Sequence, residues 1–154
     1  MTLGGITKHP TEEWMLQIGR NATDENSGFL KECRYVLHDR DAKFTESFRQ
    51  TLTTVAVQPL KLPPRSPNLN AFAERWVRSV KHECLSKLIL FGEGSLKRAL
   101  TEFVEHYHAE RPHQGKDNVV LFPTEDETNA AATNGSVLCR DRLGGLLRYY
   151  CRVA

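Results

Sequence analysis

The sequence lacks the long apolar runs that membrane-spanning proteins carry. None of its 154 residues lies in a stretch of about 18 consecutive apolar side chains. The first residues, MTLGGITKHPTEEW, also lack the basic segment followed by an apolar segment that marks a secretory signal. We therefore expect no membrane partner and a cytoplasmic location.

Cysteine is also scarce, and its spacing excludes two classes of small domain. The four cysteines lie far apart, with no C-x-x-C pair and no histidine at zinc-ligand spacing. A disulfide scaffold and a structural zinc site are thus excluded, and reduced thiols are expected. Apolar residues at 40% and charged residues at 26% are typical of a soluble globular domain.

The net charge of the chain is only +2, but the charge is unevenly distributed. Residues 61–116 carry ten Lys and Arg against six Asp and Glu, whereas acidic residues slightly outnumber basic ones on both sides of this segment. A local excess of positive charge attracts polyanions even when the whole chain is nearly neutral.

Hydrophobic spacing predicts alternating helices and strands. Helices are predicted over 11–22, 45–55, 71–88 and 95–108, and strands over 33–37 and 57–62. A proline-rich loop over 63–70 ends at Asn70, which is placed to cap the third helix. That helix carries an apolar stripe of Phe72, Trp76, Val77, Val80, Cys84 and Leu88.

The end of the chain is predicted to be less regular. Residues 123–154 are assigned to a linker and a C-terminal tail. Within them, the basic and apolar segment 140–150 fits either a packed terminal helix or a partner contact, and the sequence does not decide between the two.

Two acidic residues stand at the ends of predicted elements. Asp39 follows a strand, and Glu74 lies 35 positions later in the first turn of the long helix. The positive end of the helix dipole keeps such a carboxylate ionised, as a ligand of a hard cation must be. Helical geometry places Glu74, Arg78, Lys81 and Leu85 on one side. The spacing alone also fits a helix-stabilising glutamate and a simple turn.

Three motifs together resemble a known family. HDRDAKF (38–44), LPPRSPNLNAFAERWVRSVKHE (62–83) and HYHAERPHQG (106–115) look like the catalytic core of DDE transposases and retroviral integrases, in its insertion-sequence transposase form. Asp39, Asn70, Glu74 and Lys81 match the family pattern, and the resemblance extends over residues 6–122.

The resemblance implies a ribonuclease H-like fold, an α/β architecture in which helices flank a mixed sheet. In this family, three carboxylates bind two Mg²⁺ or Mn²⁺ ions for DNA cleavage and strand transfer, so Asp39 and Glu74 are expected to be catalytic metal ligands. Arg75, Arg78 and Lys81 are expected to hold DNA. Asp41 competes with Asp39 for the second acid, but the spacing favours Asp39 and makes Asp41 a loop anchor.

The resemblance also implies partners for this nucleoid-associated protein. They are the DNA of element ends and targets, together with further copies of the chain or a full-length transposase, and no small-molecule substrate is expected.

One departure from the family shapes the expected activity. The first family aspartate lies on the first strand, but only 38 residues precede Asp39 and their one aspartate is Asp24. We therefore expect a partial core, residues 1–122, truncated at its N-terminus and without the first strands. Such a core is inactive alone and exposes an unpaired strand edge. The alternative is a non-catalytic DNA-binding or multimerisation fragment.

Overall fold

The computed structural model describes residues 2–113, 117–120, 122 and 136–153. The described residues form both helices and strands, as predicted, and the strands pair in three two-stranded sheets. The chain divides into two compact units, an N-terminal unit of residues 2–74 and a C-terminal unit of residues 75–154.

The N-terminal unit is built around a strand–helix–strand motif. Helix α1 (Glu12–Ala22) precedes strand β1 (Tyr35–His38), helix α2 (Glu46–Thr53) and strand β2 (Gln58–Lys61). Strands β1 and β2 pair in parallel, with Leu37 opposite Leu60. A 3₁₀ turn (Pro67–Asn70) then leads to helix α3. All four predicted helices and strands of this unit are present, with bounds shifted by at most two residues.

Side-chain caps and apolar spacing explain why these helices form. Thr11 and Thr45 accept hydrogen bonds from the backbone N–H groups of Trp14 and Phe48, both at 3.3 Å. The apolar faces behind these caps meet in one buried cluster of Met15, Phe48, Leu52 and Val57.

Strand β1 has β2 as its single strand neighbour within the described residues. Residues 3–7 near the N-terminus contain no strand. On one face of the pair, Tyr35, Leu37 and Leu60 are exposed. An unpaired edge and an uncovered apolar face both favour association with a further strand or chain.

The C-terminal unit is mainly helical at its start. Helix α3 (Ala71–Ser79) continues through a π-helical turn (Val80–Cys84) and a 3₁₀ turn (Leu85–Lys87), and helix α4 (Gly92–Ala109) follows. Short strands β3 (Pro112–His113) and β4 (Val119–Val120) pair antiparallel. The buried cluster of this unit contains Val80, Cys84, Ala99, Phe103, Tyr107 and Leu147.

The predicted apolar stripe of the third helix is buried only in its second half. Val80 and Cys84 are in the core, whereas Phe72 is 85% exposed and Val77 is also exposed. Asn70 is not the helix cap, since it belongs to the preceding 3₁₀ turn and no side-chain cap bond occurs there. Periodicity predicted the helix correctly, but it did not reveal which of its turns have a packing partner.

The predicted C-terminal tail contains an antiparallel hairpin of β5 (Ser136–Arg142) and β6 (Leu147–Val153). Its turn places Leu143, Gly144 and Gly145 at φ values of 53°, 68° and 86°, and only glycine adopts such values without strain. Segment 140–150 is therefore part of a hairpin and not the packed terminal helix that was one of its two predicted structures, and the other, a partner contact, stays a prediction. Residues 123–135 of the predicted linker lie outside the described part of the chain.

The hairpin is attached to α4 by a buried ionic network. The side chain of Glu110 is only 4% exposed. It accepts hydrogen bonds from Arg142 Nη2 at 2.8 Å and Arg142 Nε at 3.0 Å, and it lies 2.9 Å from His106 Nδ1. Arg142 also contacts Glu105, and Glu102 accepts the backbone N–H of Leu143 at 2.9 Å.

None of the helices in the described residues is both long and apolar enough to cross a membrane.

We expect Arg142→Ala to destabilise the C-terminal unit strongly, because it leaves Glu110 buried without its main charge partner. The expected loss is about 3 kcal/mol, the lower end for breaking a buried pair, since Arg142 itself still reaches solvent. Chemical denaturation measures it. Arg98→Ala is the control, because its ion pair with Glu102 is on the surface and its removal should cost less than about 1 kcal/mol. Equal losses would contradict a central role for Arg142.

The same network predicts an acid-sensitive contribution to stability. Burial alone raises the pKa of Glu110, but the hydrogen bonds and charges of Arg142 and His106 outweigh it and lower the pKa below its ordinary value of about 4.5. The stabilising contribution is therefore complete above that value and is lost as pH falls through the folded-state pKa. The stability difference between the wild type and Glu110→Gln should shrink between pH 7 and pH 3. A difference independent of pH would contradict this.

Candidate functional site

Asp39 lies directly after β1, where the backbone is held in place by three hydrogen bonds. Its Oδ1 accepts the backbone N–H of Asp41 at 3.0 Å, and its carbonyl oxygen lies 2.7 Å from Nδ1 of the buried His38. Arg40 Nε donates to the carbonyl of Leu62 at 3.0 Å, which ties the end of β1 to the end of β2. Asp39 itself is exposed, so its position is fixed while its carboxylate faces solvent.

Asp41 is occupied by its own loop. Its Oδ2 forms an ion pair with Lys43 Nζ at 2.8 Å, and its Oδ1 accepts the Lys43 backbone N–H at 3.0 Å. The hydrogen bond from the Lys43 side chain is the largest cause of a lowered Asp41 pKa. These contacts fit the loop-anchoring role expected from the sequence.

Asp24 has a similar local role. Its Oδ1 accepts the backbone N–H groups of Ser27 and Asn26 at 2.8 and 3.1 Å, and also the Ser27 hydroxyl at 2.9 Å. The backbone bond from Ser27 is the main cause of its lowered pKa. Asp24 thus closes the turn after α1.

Glu74 lies in the first turn of α3, as the sequence predicted. The side chain is exposed and makes no hydrogen bond or ion pair within the described residues. Glu74 is therefore an exposed carboxylate whose oxygens remain available to a ligand.

Arg75, Arg78 and Lys81 follow Glu74 along the same helical segment. All three are exposed, and among the residues that the structure describes none of them has an acidic partner. The segment is not one regular helix, because winding changes to i→i+5 at Val80. As a result Leu85, expected on the outward side with Glu74, packs against the core instead.

The two candidate carboxylates are carried by different elements of the fold. Glu74 shares a helical segment with the three cations, whereas Asp39 follows a strand. In the described part of the chain no hydrogen bond or shared partner links Asp39 to Glu74. Within those same residues, no three or more His, Cys, Asp and Glu side chains form a group able to hold a metal ion.

The third motif is held together by contacts that the sequence did not reveal. Arg111 forms two hydrogen bonds with the carboxylate of Glu83, at 2.6 and 2.9 Å, and its guanidinium lies 5.2 Å from the centre of the Tyr107 ring. His113 Nε2 lies 3.2 Å from the Tyr107 carbonyl oxygen. The Tyr-x-x-x-Arg-Pro-His pattern thus fixes the end of α4 to the π-helical turn.

Sequence reasoning did not identify Glu83 or Arg142 as structural partners. The i,i+4 spacing of His106 and Glu110 was a readable sign of a helical pair. The Glu83–Arg111 and Glu110–Arg142 pairs join positions 28 and 32 residues apart, for which local pattern gives no signal.

Comparison with known proteins gives one match. Residues 55–119 match the family model of the integrase core domain. The matched segment includes Glu74, Arg75, Arg78 and Lys81, and it begins after Asp39. No curated protein and no solved structure shows significant similarity to the chain. The match agrees with the resemblance carried by the sequence motifs: residues 55–119 are similar to the integrase core domain.

Proposed function

We propose that the chain acts on DNA in an integration or transposition reaction, with helix α3 as its main DNA contact. One observation carries the proposal: the matched segment presents an exposed Glu74 beside three exposed basic residues on one helical segment. A carboxylate for a divalent cation next to cations for phosphates is the side-chain set that phosphodiester chemistry requires.

Arg75, Arg78 and Lys81 hold the DNA backbone in this proposal. Unlike Arg111 and Arg142, which are used in ion pairs inside the C-terminal unit, these three carry no acidic partner among the described residues. Binding to phosphates therefore breaks no internal ion pair. Each contact releases condensed counterions from DNA, so the affinity depends steeply on salt.

Asp39 and Glu74 are proposed as ligands of Mg²⁺ or Mn²⁺. Both offer carboxylate oxygens, the donors that these hard cations prefer, and both are exposed. Asp39 keeps Oδ2 outside its hydrogen bond to Asp41, and Glu74 keeps both oxygens. The residues fit a divalent cation, which when bound polarises a phosphate and lowers the pKa of a water or hydroxyl nucleophile.

The order β1–α2–β2–α3 supports a ribonuclease H-like fold, since it places a strand-end aspartate before a helix-borne glutamate.

We further propose that the 154-residue chain does not cleave DNA by itself. The resemblance requires a third carboxylate, and Asp24 already closes a turn through three hydrogen bonds. If the chain does not cleave DNA by itself, its expected partners are further copies of the chain or a full-length transposase.

A second function, DNA binding or multimerisation without catalysis, is favoured by two observations. The cations of α3 need no metal to bind DNA, and the apolar side chains Tyr35, Leu37 and Leu60 are exposed beside the open edge of β1.

Arg78→Ala and Lys81→Ala are expected to weaken DNA binding severalfold each. Each should reduce the slope of log affinity against log salt by about one, because each removes one phosphate contact. Fluorescence anisotropy with a labelled duplex, at several salt concentrations, measures both quantities. Lys97→Ala is the matched control, because Lys97 is an exposed lysine on α4. An equal effect of Lys97→Ala would show that only overall charge matters.

Glu74→Gln is expected to leave metal-free DNA affinity intact and to abolish the increase in affinity that Mn²⁺ produces. The amide cannot supply the negative charge that a divalent cation requires. Glu93→Gln, which changes an exposed glutamate in the first turn of α4, should retain the increase. Persistence of the Mn²⁺ effect in Glu74→Gln would exclude Glu74 as a ligand.

The same preparations, incubated with supercoiled plasmid and Mn²⁺, test catalysis. The chain should leave the plasmid intact; metal-dependent nicking that Glu74→Gln abolishes would contradict the proposed inactivity and establish an enzyme.

A further inference from the structure

The hairpin of β5 and β6 has two faces of different character. Because antiparallel partners share a face, the register places Arg142 and Leu147 on one side, together with Arg140 and Tyr149. Leu147 is in the core and Arg142 is bound to Glu110, so this face is packed at its turn end.

The opposite face, here called the ribbon face, points away from the core. It consists of Val137, Cys139, Asp141, Arg148, Tyr150 and Arg152. All six residues are exposed, and the Tyr150 side chain is 61% exposed. Tyr150 thus lies between two arginines on an exposed strand and is not part of the buried cluster of the C-terminal unit.

The residue types on the ribbon face match the chemistry of nucleic acids. Arg148, Tyr150 and Arg152 alternate along β6, so the two arginines stand about 13 Å apart with the ring between them. Arginine forms paired hydrogen bonds with phosphate, and an exposed aromatic ring stacks on a base or packs against a sugar. Asp141 is the one acidic residue on this face.

We propose that the ribbon face is a second DNA-binding surface, separate from helix α3. Arg148 and Arg152 contact backbone phosphates, and Tyr150 packs against the nucleotide between them. A two-stranded ribbon is narrow enough to enter the major groove of a duplex, and it also presents Tyr150 to an unpaired base. This inference rests on the proposed function, because it takes DNA as the ligand of the chain.

The anchoring of the hairpin makes this surface rigid before DNA arrives. The bonds between Arg142 and Glu110 and the buried Leu147 fix the opposite face, so binding does not have to order the strands first. A surface that is already ordered loses less entropy on binding than a flexible tail does.

The first test compares substitutions on the ribbon face with substitutions on α3. Arg148→Ala and Arg152→Ala should each weaken duplex binding severalfold and lower the salt slope by about one. Tyr150→Ala should weaken binding to a single strand about tenfold, whereas Tyr150→Phe should retain most of the affinity because the ring remains. Arg20→Ala, an exposed arginine in the last turn of α1, is the control for net charge.

The outcomes separate this inference from the proposed function. If Arg78→Ala weakens binding but the ribbon variants match Arg20→Ala, the ribbon inference is overturned and the role of α3 stands. If only the ribbon variants weaken binding, the ribbon inference stands and the role of α3 fails. If the chain binds no DNA at all, both are overturned.

A second measurement uses the wild-type chain, so it does not depend on the folding of a variant. Cys139 lies on the ribbon face opposite Tyr150, and Cys33 is an exposed thiol in the N-terminal unit. Bound DNA should slow alkylation of Cys139 severalfold relative to Cys33, followed by mass spectrometry of the peptides. Equal rates for Cys139 with and without DNA would overturn the inference.

Discussion

The buried carboxylate of Glu110 is the constraint on which the C-terminal unit depends. A charge removed from water is costly unless partners replace its hydration, and Glu110 obtains them from Arg142 on β5 and His106 on its own helix. The Glu110–Arg142 ion pair therefore holds the hairpin to the C-terminal end of α4. Leu147, which lies opposite Arg142 across the hairpin, joins Phe103 and Tyr107 in the core at the same end of the hairpin that Glu110 anchors.

This arrangement divides the basic residues of the unit into two groups. Arg111 and Arg142 are used internally, each against a glutamate that lies close to the core. The exposed basic residues lie on the helical segment 71–87, on α4 and on the ribbon face. The net charge of the chain does not show this division, because internal ion pairs cancel in the sum while exposed cations still act on a polyanion. The N-terminal unit has no comparable internal pair among its described residues and is held instead by the apolar cluster around Leu52.

The sequence predicted what is encoded locally. The threonine caps of α1 and α2, the strands on either side of α2 and the first-turn position of Glu74 all follow from short-range spacing and are present. What failed depends on distant partners. Periodicity placed Phe72 on a buried stripe, but its side chain is 85% exposed, and beyond the π-helical turn Leu85 packs against the core. The hairpin was missed because arginines and tyrosines carry much of its alternation, and because the position of Arg142 depends on the distant Glu110.

The same reasoning explains why binding and catalysis make different demands on this chain. Phosphate contacts need only exposed cations on a rigid support, which α3 and the hairpin each provide. Metal-assisted chemistry needs carboxylates from separate elements brought to one point, and that condition depends on tertiary structure as a whole. Asp39 follows strand β1, whereas Glu74 and the basic residues lie on one helical segment. A disturbance of the sheet would therefore displace Asp39 relative to Glu74 and leave the basic residues of the helical segment in place. The proposed DNA surface therefore does not depend on the proposed metal site, and among the described strands β1 keeps an unpaired edge to which a further strand could add.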